Sequence, residues 1–136
     1  MILILDANVI MSALIRDGES RKLINMPSFT FYSPDTLLES IEKYKEEIIE
    51  KSGLSKKDFS DILNSIIDKI FIIKKENYES KLEQANKIIG HIDIGDISYI
   101  ALALSIENDG IWSDDYHFQK QDKLKIYKTE DIIKII

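Results

Sequence analysis

The feature that most constrains the fold is an apolar run at the start of the chain that stops at an acid. Met1 to Leu5 is continuously apolar, and Asp6 follows directly. A short run without polar alternation is typical of a strand buried on both faces, as in parallel sheets. Apolar residues then recur with helical spacing from Val9 to Leu14. The chain therefore opens with a strand followed by a helix, the repeating unit of α/β folds.

The same alternation continues along the chain, which has 136 residues and no linker or internal repeat. We expect one domain over residues 1–136, an α/β/α sandwich of three layers with a parallel sheet of about five strands. Ser33 is predicted to cap a long helix with Pro34 in its first turn, and Ser52-Gly53 to end it. The further predicted elements are strands at Phe29–Tyr32, Ile70–Ile73, Gly110–Ser113 and Lys125–Tyr127, a helix capped by Ser55 with Asp58, a polar helix over Tyr78–Ile89, and a terminal helix from Thr129.

Composition excludes several classes of protein and of metal site. There is no cysteine and there are only two histidines, so disulfide frameworks and thiolate zinc sites are excluded and a metal would need oxygen ligands. The net charge of −6 argues against a nucleic-acid binder of the basic-patch kind. Asp6 and Asn8 interrupt the opening apolar segment too early for a membrane span, and no basic region precedes it. We expect a cytoplasmic protein without a membrane partner.

Acidic residues are placed where parallel sheets carry their sites, at the carboxyl ends of strands. Asp6 comes directly after the first strand, and the predicted fourth strand, a neighbour of the first, ends in the same way. Crowded carboxylates repel one another, so a divalent cation held by oxygen, Mg²⁺ or Mn²⁺, is the expected compensation. The candidate residues at this edge are Asp6, Asn8, Glu39, Asp93, Asp96, Asp114 and Asp115.

Simpler interpretations exist for several of these acids. Asp96 and Asp93 precede a strongly apolar helix, where Asp is a favoured N-cap, and one carboxylate can both cap a helix and face a metal. Asp114 and Asp115 are also compatible with an ordinary turn after a strand.

Four segments in order also carry a family resemblance: ILDANVIMSALI, the helix with Glu39, DIGDISYIALALS and IWSDDYHF. The set resembles a PIN domain, the nuclease fold of VapC-type toxins in prokaryotic toxin-antitoxin pairs. The resemblance implies that four acids hold Mg²⁺ or Mn²⁺ and cut RNA, that two polar residues support them, and that the chain forms a homodimer and binds an antitoxin protein. The implied catalytic and metal-binding residues are Asp6, Glu39, Asp96 and Asp115, with Asn8 and Ser113 in support and Asp93 and Asp114 as further acids.

The chain departs from the family pattern at two places. Glu39 is followed by Ser40 where members often have a second acid, so Glu42 is an alternative to Glu39. His117 stands where members often have an acid, and it is not expected to be a ligand.

Capture of an RNA strand by an acidic chain requires local cations, and Arg16, Arg21, Lys22 and Lys120 are the candidates. Two other functions remain open at this point. One is a Mg²⁺-dependent phosphotransfer domain of the receiver or phosphatase type with Asp6 as phosphoacceptor, although position 8 is Asn where a phosphatase would carry a second Asp. The other is a catalytically idle binding module with the same fold.

Overall fold

The computed structural model describes residues 1–136 and contains one sheet of five parallel strands. Their order across the sheet is β3-β2-β1-β4-β5, so the first strand lies at the centre between β2 and β4. Leu3 pairs with Phe31 on one side and with Gly110 on the other. The strands are β1 (Ile2–Leu5), β2 (Thr30–Pro34), β3 (Ile70–Ile73), β4 (Gly110–Trp112) and β5 (Ile126–Tyr127).

Helices cover the sheet and complete the three-layer α/β/α architecture that the sequence predicts. None of them combines the length and the apolar character needed to cross a bilayer. The helices are α1 (Ala7–Ile15), α2 (Glu19–Ile24), α3 (Thr36–Ser52), α4 (Lys56–Ile67), α5 (Leu82–Ala85), α6 (Ile97–Ser105) and α7 (Thr129–Ile135).

The central strand is the middle of the core. Leu3, Ile4 and Leu5 are all completely buried, which is the two-sided burial that the opening apolar run predicts. Trp112 on the adjacent β4 is also completely buried and belongs to the same core of 29 hydrophobic residues. This packing fixes the ends of β1 and β4 relative to each other. The relative positions of the polar residues that follow the two strands are therefore fixed as well.

The junction between α3 and α4, the two helices after β2, has the structure that the sequence predicts. Gly53 ends α3 with a φ of +70°, a conformation that glycine adopts without strain. Ser55 then caps α4, because its side chain accepts a hydrogen bond of 3.1 Å from the Asp58 amide.

The predicted start of this long helix at Ser33 and Pro34 is wrong. β2 continues through Pro34 in register with β3, and the Asp35 amide still donates to the Ile73 carbonyl at 2.9 Å. The buried Ser33 hydroxyl instead donates to the Leu5 carbonyl at 3.0 Å. Backbone pairing with β3 and the Ser33 side-chain bond to β1 keep this segment extended, so tertiary contacts override the local capping signal.

The predicted polar helix over Tyr78–Ile89 is also only partly present. After Tyr78 the chain forms one 3₁₀ turn over Glu79–Lys81, then α5, and then a wider π turn over Asn86–Gly90. Tyr78 is buried, and its hydroxyl donates to Asp35 Oδ1 at 2.5 Å. This contact with the end of β2 anchors Tyr78 in a turn, so regular helix begins only at Leu82.

Candidate metal centre

One hydrogen-bond network joins the residues that follow β1 and β4. The buried Ser113 hydroxyl donates to Asp6 Oδ2 at 2.7 Å and accepts from the Asp115 amide at 3.0 Å. Asn8, in the first turn of α1, donates from Nδ2 to Asp115 Oδ2 at 3.2 Å. The two neighbouring strands therefore bring Asp6, Asn8, Ser113 and Asp115 together at the carboxyl edge of the sheet, as expected from their positions in the sequence.

A second group of side chains lies against this network, with Asp93 and Asp96 from the segment before α6 and His117 from the 3₁₀ turn after β4. Ligand atoms of Asp93, Asp96 and His117 all lie within 4.8 Å of one another. His117 Nδ1 is 3.1 Å from Asp93 Oδ2 and 3.3 Å from Asp115 Oδ1. We call Asp6, Asp93, Asp96, Asp115 and His117 together the acidic cluster.

Unpartnered polar atoms concentrate in and beside the acidic cluster. Only three buried side-chain polar atoms in the chain lack a well-aligned hydrogen bond: Asp96 Oδ2, the Tyr99 hydroxyl oxygen and His117 Nδ1, which has only its close approach to Asp93 and Asp115. Two belong to the cluster itself, and Tyr99 lies within range of the charges of Asp6 and Asp96. Buried polar groups are normally paired, so their coincidence at one place indicates a site built for a ligand that completes the bonding.

The two buried carboxyl groups of the cluster, Asp6 and Asp96, are held in an environment that disfavours their charge. Burial raises the pKa of Asp96 from 3.8 to about 8, and the charges of Asp93, Asp6 and Asp115 contribute to the rise. Burial also raises the pKa of Asp6 to about 6, against the opposing effect of the Ser113 hydrogen bond. A bound cation would reverse this balance by stabilising the ionised carboxylates.

The donor set fits a hard divalent cation. It consists mainly of carboxylate oxygens, the ligands that Mg²⁺ and Mn²⁺ prefer, together with a single imidazole nitrogen. Asp96 Oδ2 is buried and free of any competing hydrogen bond. Asp96, Asp93 and His117 are therefore available to hold such an ion together with the adjoining Asp6 and Asp115.

A family model for the PIN domain matches residues 4–132, which is nearly the whole chain. The chain belongs to the PIN domain family. None of the curated proteins compared with it matches significantly. PIN domains are generally nucleases and typically use divalent metal ions. The fold and the acidic cluster of this PIN domain agree with that assignment.

The hydrogen bonds of Asp96 and Asp93 show whether each side chain caps a helix or turn, the simpler interpretation of both acids. Asp96 occupies the N-cap position of α6 as predicted, but its side chain makes no cap hydrogen bond and stays free to face the cluster. Asp93 Oδ1 does accept from the Gly95 amide at 2.8 Å, while Asp93 Oδ2 faces His117. One carboxylate thus both caps a turn and contributes to the acidic cluster.

The structure does not bring Asp114 into the acidic cluster. Its two oxygens accept hydrogen bonds from the Thr129 amide at 2.7 Å and from the Thr129 hydroxyl at 2.5 Å. Asp114 therefore fixes the beginning of α7, whereas the next residue, Asp115, turns toward the cluster. The expectation that both acids support the site is corrected for Asp114.

Glu39 lies beside the acidic cluster rather than within it. It is exposed in the first turn of α3 and lines a hollow of about 550 Å³ that also contains Asp35, Gly95 and Ser98. No hydrogen bond or ion pair joins it to the cluster. Glu42, the alternative, is exposed and does not line this hollow. A metal-binding role for Glu39 stays a prediction.

The four predicted substrate-binding cations lie in different places, and only one of them is linked to the acidic cluster. Arg21 is committed elsewhere, since its Nε donates to the Ala13 carbonyl at 2.8 Å and holds the end of α1. Arg16 lines a hollow of about 310 Å³ near Asp114, and Lys22 is exposed on α2. Lys120 is the one linked to the cluster, because its Nζ lies 4.7 Å from the Tyr116 ring centre, next to His117.

Sequence reasoning did not identify His117 and Tyr99 as members of the site. Tyr99 occupies a helix position that looks like ordinary core, and its free hydroxyl is visible only in three dimensions. One feature of the sequence could have indicated His117: it follows Asp115 by two residues and stands where the resemblance expects an acid.

Proposed function

We propose that this PIN domain is a Mg²⁺- or Mn²⁺-dependent endoribonuclease that hydrolyses RNA phosphodiester bonds. The observation that carries the proposal is the convergence of Asp6, Asp96 and Asp115 at the carboxyl ends of β1 and β4, with a buried carboxylate oxygen of Asp96 left unpartnered. A divalent ion bound there supplies positive charge opposite the phosphate and lowers the pKa of an attacking water.

The residues of the chain have distinct parts in this proposal. Asp6 and Asp96 are the innermost metal ligands, since both are buried at the edge of the core. Ser113 fixes the orientation of Asp6, and Asn8 fixes that of Asp115. Such supporting hydrogen bonds keep ligand atoms in place before the substrate arrives, so little reorganisation is needed during the reaction.

His117 has a part that depends on its protonation. Its Nδ1 lies between Asp93 Oδ2 and Asp115 Oδ1, so a protonated ring offsets the charge of both carboxylates. A lone pair at Nδ1 would instead repel both carboxylates and is suited to bind a metal ion. Without a metal, the two acids are therefore held close together only when Nδ1 carries a proton, since the cluster contains no lysine or arginine.

Cleavage of a mixed pool of single-stranded RNA by the purified protein tests the proposal. We expect cutting with Mn²⁺, none with EDTA, and at least a hundredfold slower cutting by Asp6→Asn. Asp109→Asn is the matched control, because Asp109 bonds the Ile2 amide at 2.7 Å, at the start of β1 rather than its carboxyl end. Equal inertness of wild type, variants and EDTA samples would overturn the proposal and favour a catalytically idle binding module.

We also propose that the nuclease is the toxin of a toxin-antitoxin pair, acts as a homodimer and is covered by an antitoxin protein. Family membership and the resemblance to VapC-type toxins support this role. Induced expression should arrest growth, Asp6→Asn should relieve the arrest, and co-expression of the neighbouring gene product should suppress it and increase the measured mass of the complex. Unimpaired growth with the wild-type protein would contradict a toxin role and favour RNA processing.

A further inference from the structure

A cavity of about 640 Å³ lies between α5 and the loop after Lys120, and it is lined mainly by basic and amide side chains. One wall is formed by α5 and the π turn, and the other by the loop that follows the 3₁₀ turn Tyr116–Lys120. We call this cavity the lysine groove. Its lining residues are Gln84, Lys87, Ile88, His91, Leu104, Lys120, Gln121, Asp122 and Lys123.

The charge of the lysine groove is opposite to that of the molecule. The whole chain carries a net charge of −6, whereas the groove places Lys87, Lys120 and Lys123 against the single acid Asp122. Lys87 also lies 4.0 Å from Glu83, but both side chains are more than three-quarters exposed, and such a pair is weak in water. The three ammonium groups are therefore available to a ligand with several negative charges.

The wall that carries two of these lysines is held rigidly by one side chain. Gln121 Nε2 donates to the carbonyl oxygens of Phe118 and Leu124 at 3.0 and 3.1 Å. Gln121 Oε1 accepts from the Lys123 and Leu124 amides at 3.0 and 2.9 Å. Phe118 is itself completely buried. The backbone on both sides of Gln121 is thus ordered before any ligand binds, which reduces the entropy cost of binding.

Aromatic side chains connect the groove to the acidic cluster. Lys120 Nζ lies 4.7 Å from the centre of the Tyr116 ring, and that ring lies 4.7 Å from the His117 ring. His117 Nδ1 in turn lies 3.1 Å from Asp93 Oδ2. Tyr116 is 62% exposed, a large fraction for an aromatic side chain, and it contacts both Lys120 of the groove and His117 of the cluster.

We propose that the lysine groove binds the phosphate backbone of a single-stranded nucleic acid whose neighbouring phosphodiester lies at the acidic cluster, with a base stacked on Tyr116. This inference rests on the proposed nuclease function and specifies how its substrate is held. Lysines placed along a strand neutralise phosphates without reading sequence, and an exposed ring accepts any base. The arrangement explains how a chain with net negative charge captures a polyanion.

Fluorescence anisotropy with a labelled single-stranded RNA tests the groove without requiring catalysis. The measurement uses Asp6→Asn protein in EDTA and compares it with the same protein carrying Lys87→Gln, Lys120→Gln and Lys123→Gln. The matched control carries Lys56→Gln, Lys57→Gln and Lys69→Gln, which change the net charge by the same amount. None of these three lysines lines the lysine groove, and Lys69 directly precedes β3, at the opposite end of the strands from the acidic cluster.

We expect the groove variant to bind at least tenfold more weakly and the control to stay within about twofold. The slope of log affinity against log salt should also decrease by about 2, because each phosphate contact on a single strand contributes roughly 0.7. A groove variant that binds as tightly as its parent, or equal weakening in the control, would overturn the proposal. A parallel series with single-stranded DNA separates recognition of phosphate alone from recognition of ribose.

Tyr116 gives an independent test of the stacking contact. Tyr116→Ala should weaken RNA binding about fivefold or more, while Tyr116→Phe, which retains the ring, should restore it. Equal loss in both variants would contradict stacking.

The binding assay also separates this inference from the nuclease proposal. RNA binding through the groove without metal-dependent cutting would support the groove and contradict the nuclease. Cutting with unchanged binding by the groove variant would support the nuclease and contradict the groove.

Discussion

At the scale of single residues, the Ser113 hydroxyl connects the two central strands of the site. It is completely buried, donates to Asp6 Oδ2 and accepts from the Asp115 amide, so one oxygen atom positions two predicted ligands. No other side chain donates a hydrogen bond to Asp6. Ser113 is therefore the one side chain that orients this carboxylate.

Ser113→Ala should lower the rate of RNA cleavage about 10- to 100-fold, because a misoriented ligand weakens metal affinity. The free energy of unfolding should decrease by about 1 kcal/mol. Ser105→Ala, which removes a hydroxyl that bonds the Ala101 carbonyl at the far end of α6, is the control and should leave cleavage unchanged. The cleavage assay and urea denaturation are measured on the same variants. Cleavage by Ser113→Ala at the wild-type rate would contradict the role of this hydroxyl.

Asp96 makes the stability of the metal-free protein depend on pH. Its pKa is raised from 3.8 to about 8, so the folded state retains a proton that the unfolded state has lost. The resulting stabilisation is fully present below about pH 4 and is lost as the pH rises through about 8. The raised pKa of Asp6, about 6, acts in the same direction.

Asp96→Asn removes this buried charge. In EDTA at pH 8 the variant should be more stable than wild type by about 1 to 2 kcal/mol, and the difference should vanish near pH 4. Thermal denaturation across this pH range measures the effect, with Asp109→Asn as an exposed control that shows no such gain. A variant that is less stable at pH 8 would show that Asp96 is stabilised as an ion even without metal.

At the scale of elements, two glycines with positive φ hold different parts of the fold. Gly53 ends α3 at +70° with no atom within 4 Å of an added Cβ. Gly110 begins β4 at +148°, and an added Cβ would lie 2.8 Å from the Lys125 carbonyl oxygen and from the Tyr127 ring. β4 leads directly to Ser113 and Asp115, so the close approach of β5 at Gly110 supports the site.

Gly53→Ala should therefore cost about 1 kcal/mol of unfolding free energy, from backbone conformation alone. Gly110→Ala adds steric overlap with β5 and should cost roughly 2 to 4 kcal/mol. Urea denaturation of both variants measures the difference. Equal costs would mean that β5 moves away from β4 at little expense.

Elements defined by strong local patterns were predictable from the sequence. The run before Asp6 predicted β1, Ile70–Ile73 matches β3, and the signals at Gly53 and Ser55 gave the correct helix boundaries. The start of α3 was not predictable from local pattern, because Ser33 and Pro34 are held in β2 by pairing with strands distant in sequence.

At the scale of the whole molecule, the topology accounts for the position of the site. With β1 and β4 adjacent at the centre of the sheet, residues more than 100 positions apart in sequence meet at one edge. The strand-end rule was therefore sufficient to predict the convergence of Asp6 and Asp115. It was not sufficient for Asp114, Tyr99 or His117, because neighbouring residues after a strand point in different directions and only the folded chain shows which ones face the cluster.

The most direct test of the central claim measures metal occupancy and RNA cleavage in the same Mn²⁺ titration. Occupancy is followed by the increase in melting temperature, and cleavage by the initial rate. We expect both to follow one binding curve in wild type, and both to be lost in Asp96→Asn but retained in Asp109→Asn. Cleavage that persists in Asp96→Asn, or that saturates at Mn²⁺ concentrations unrelated to occupancy, would contradict the claim that the acidic cluster is the metal-dependent catalytic centre.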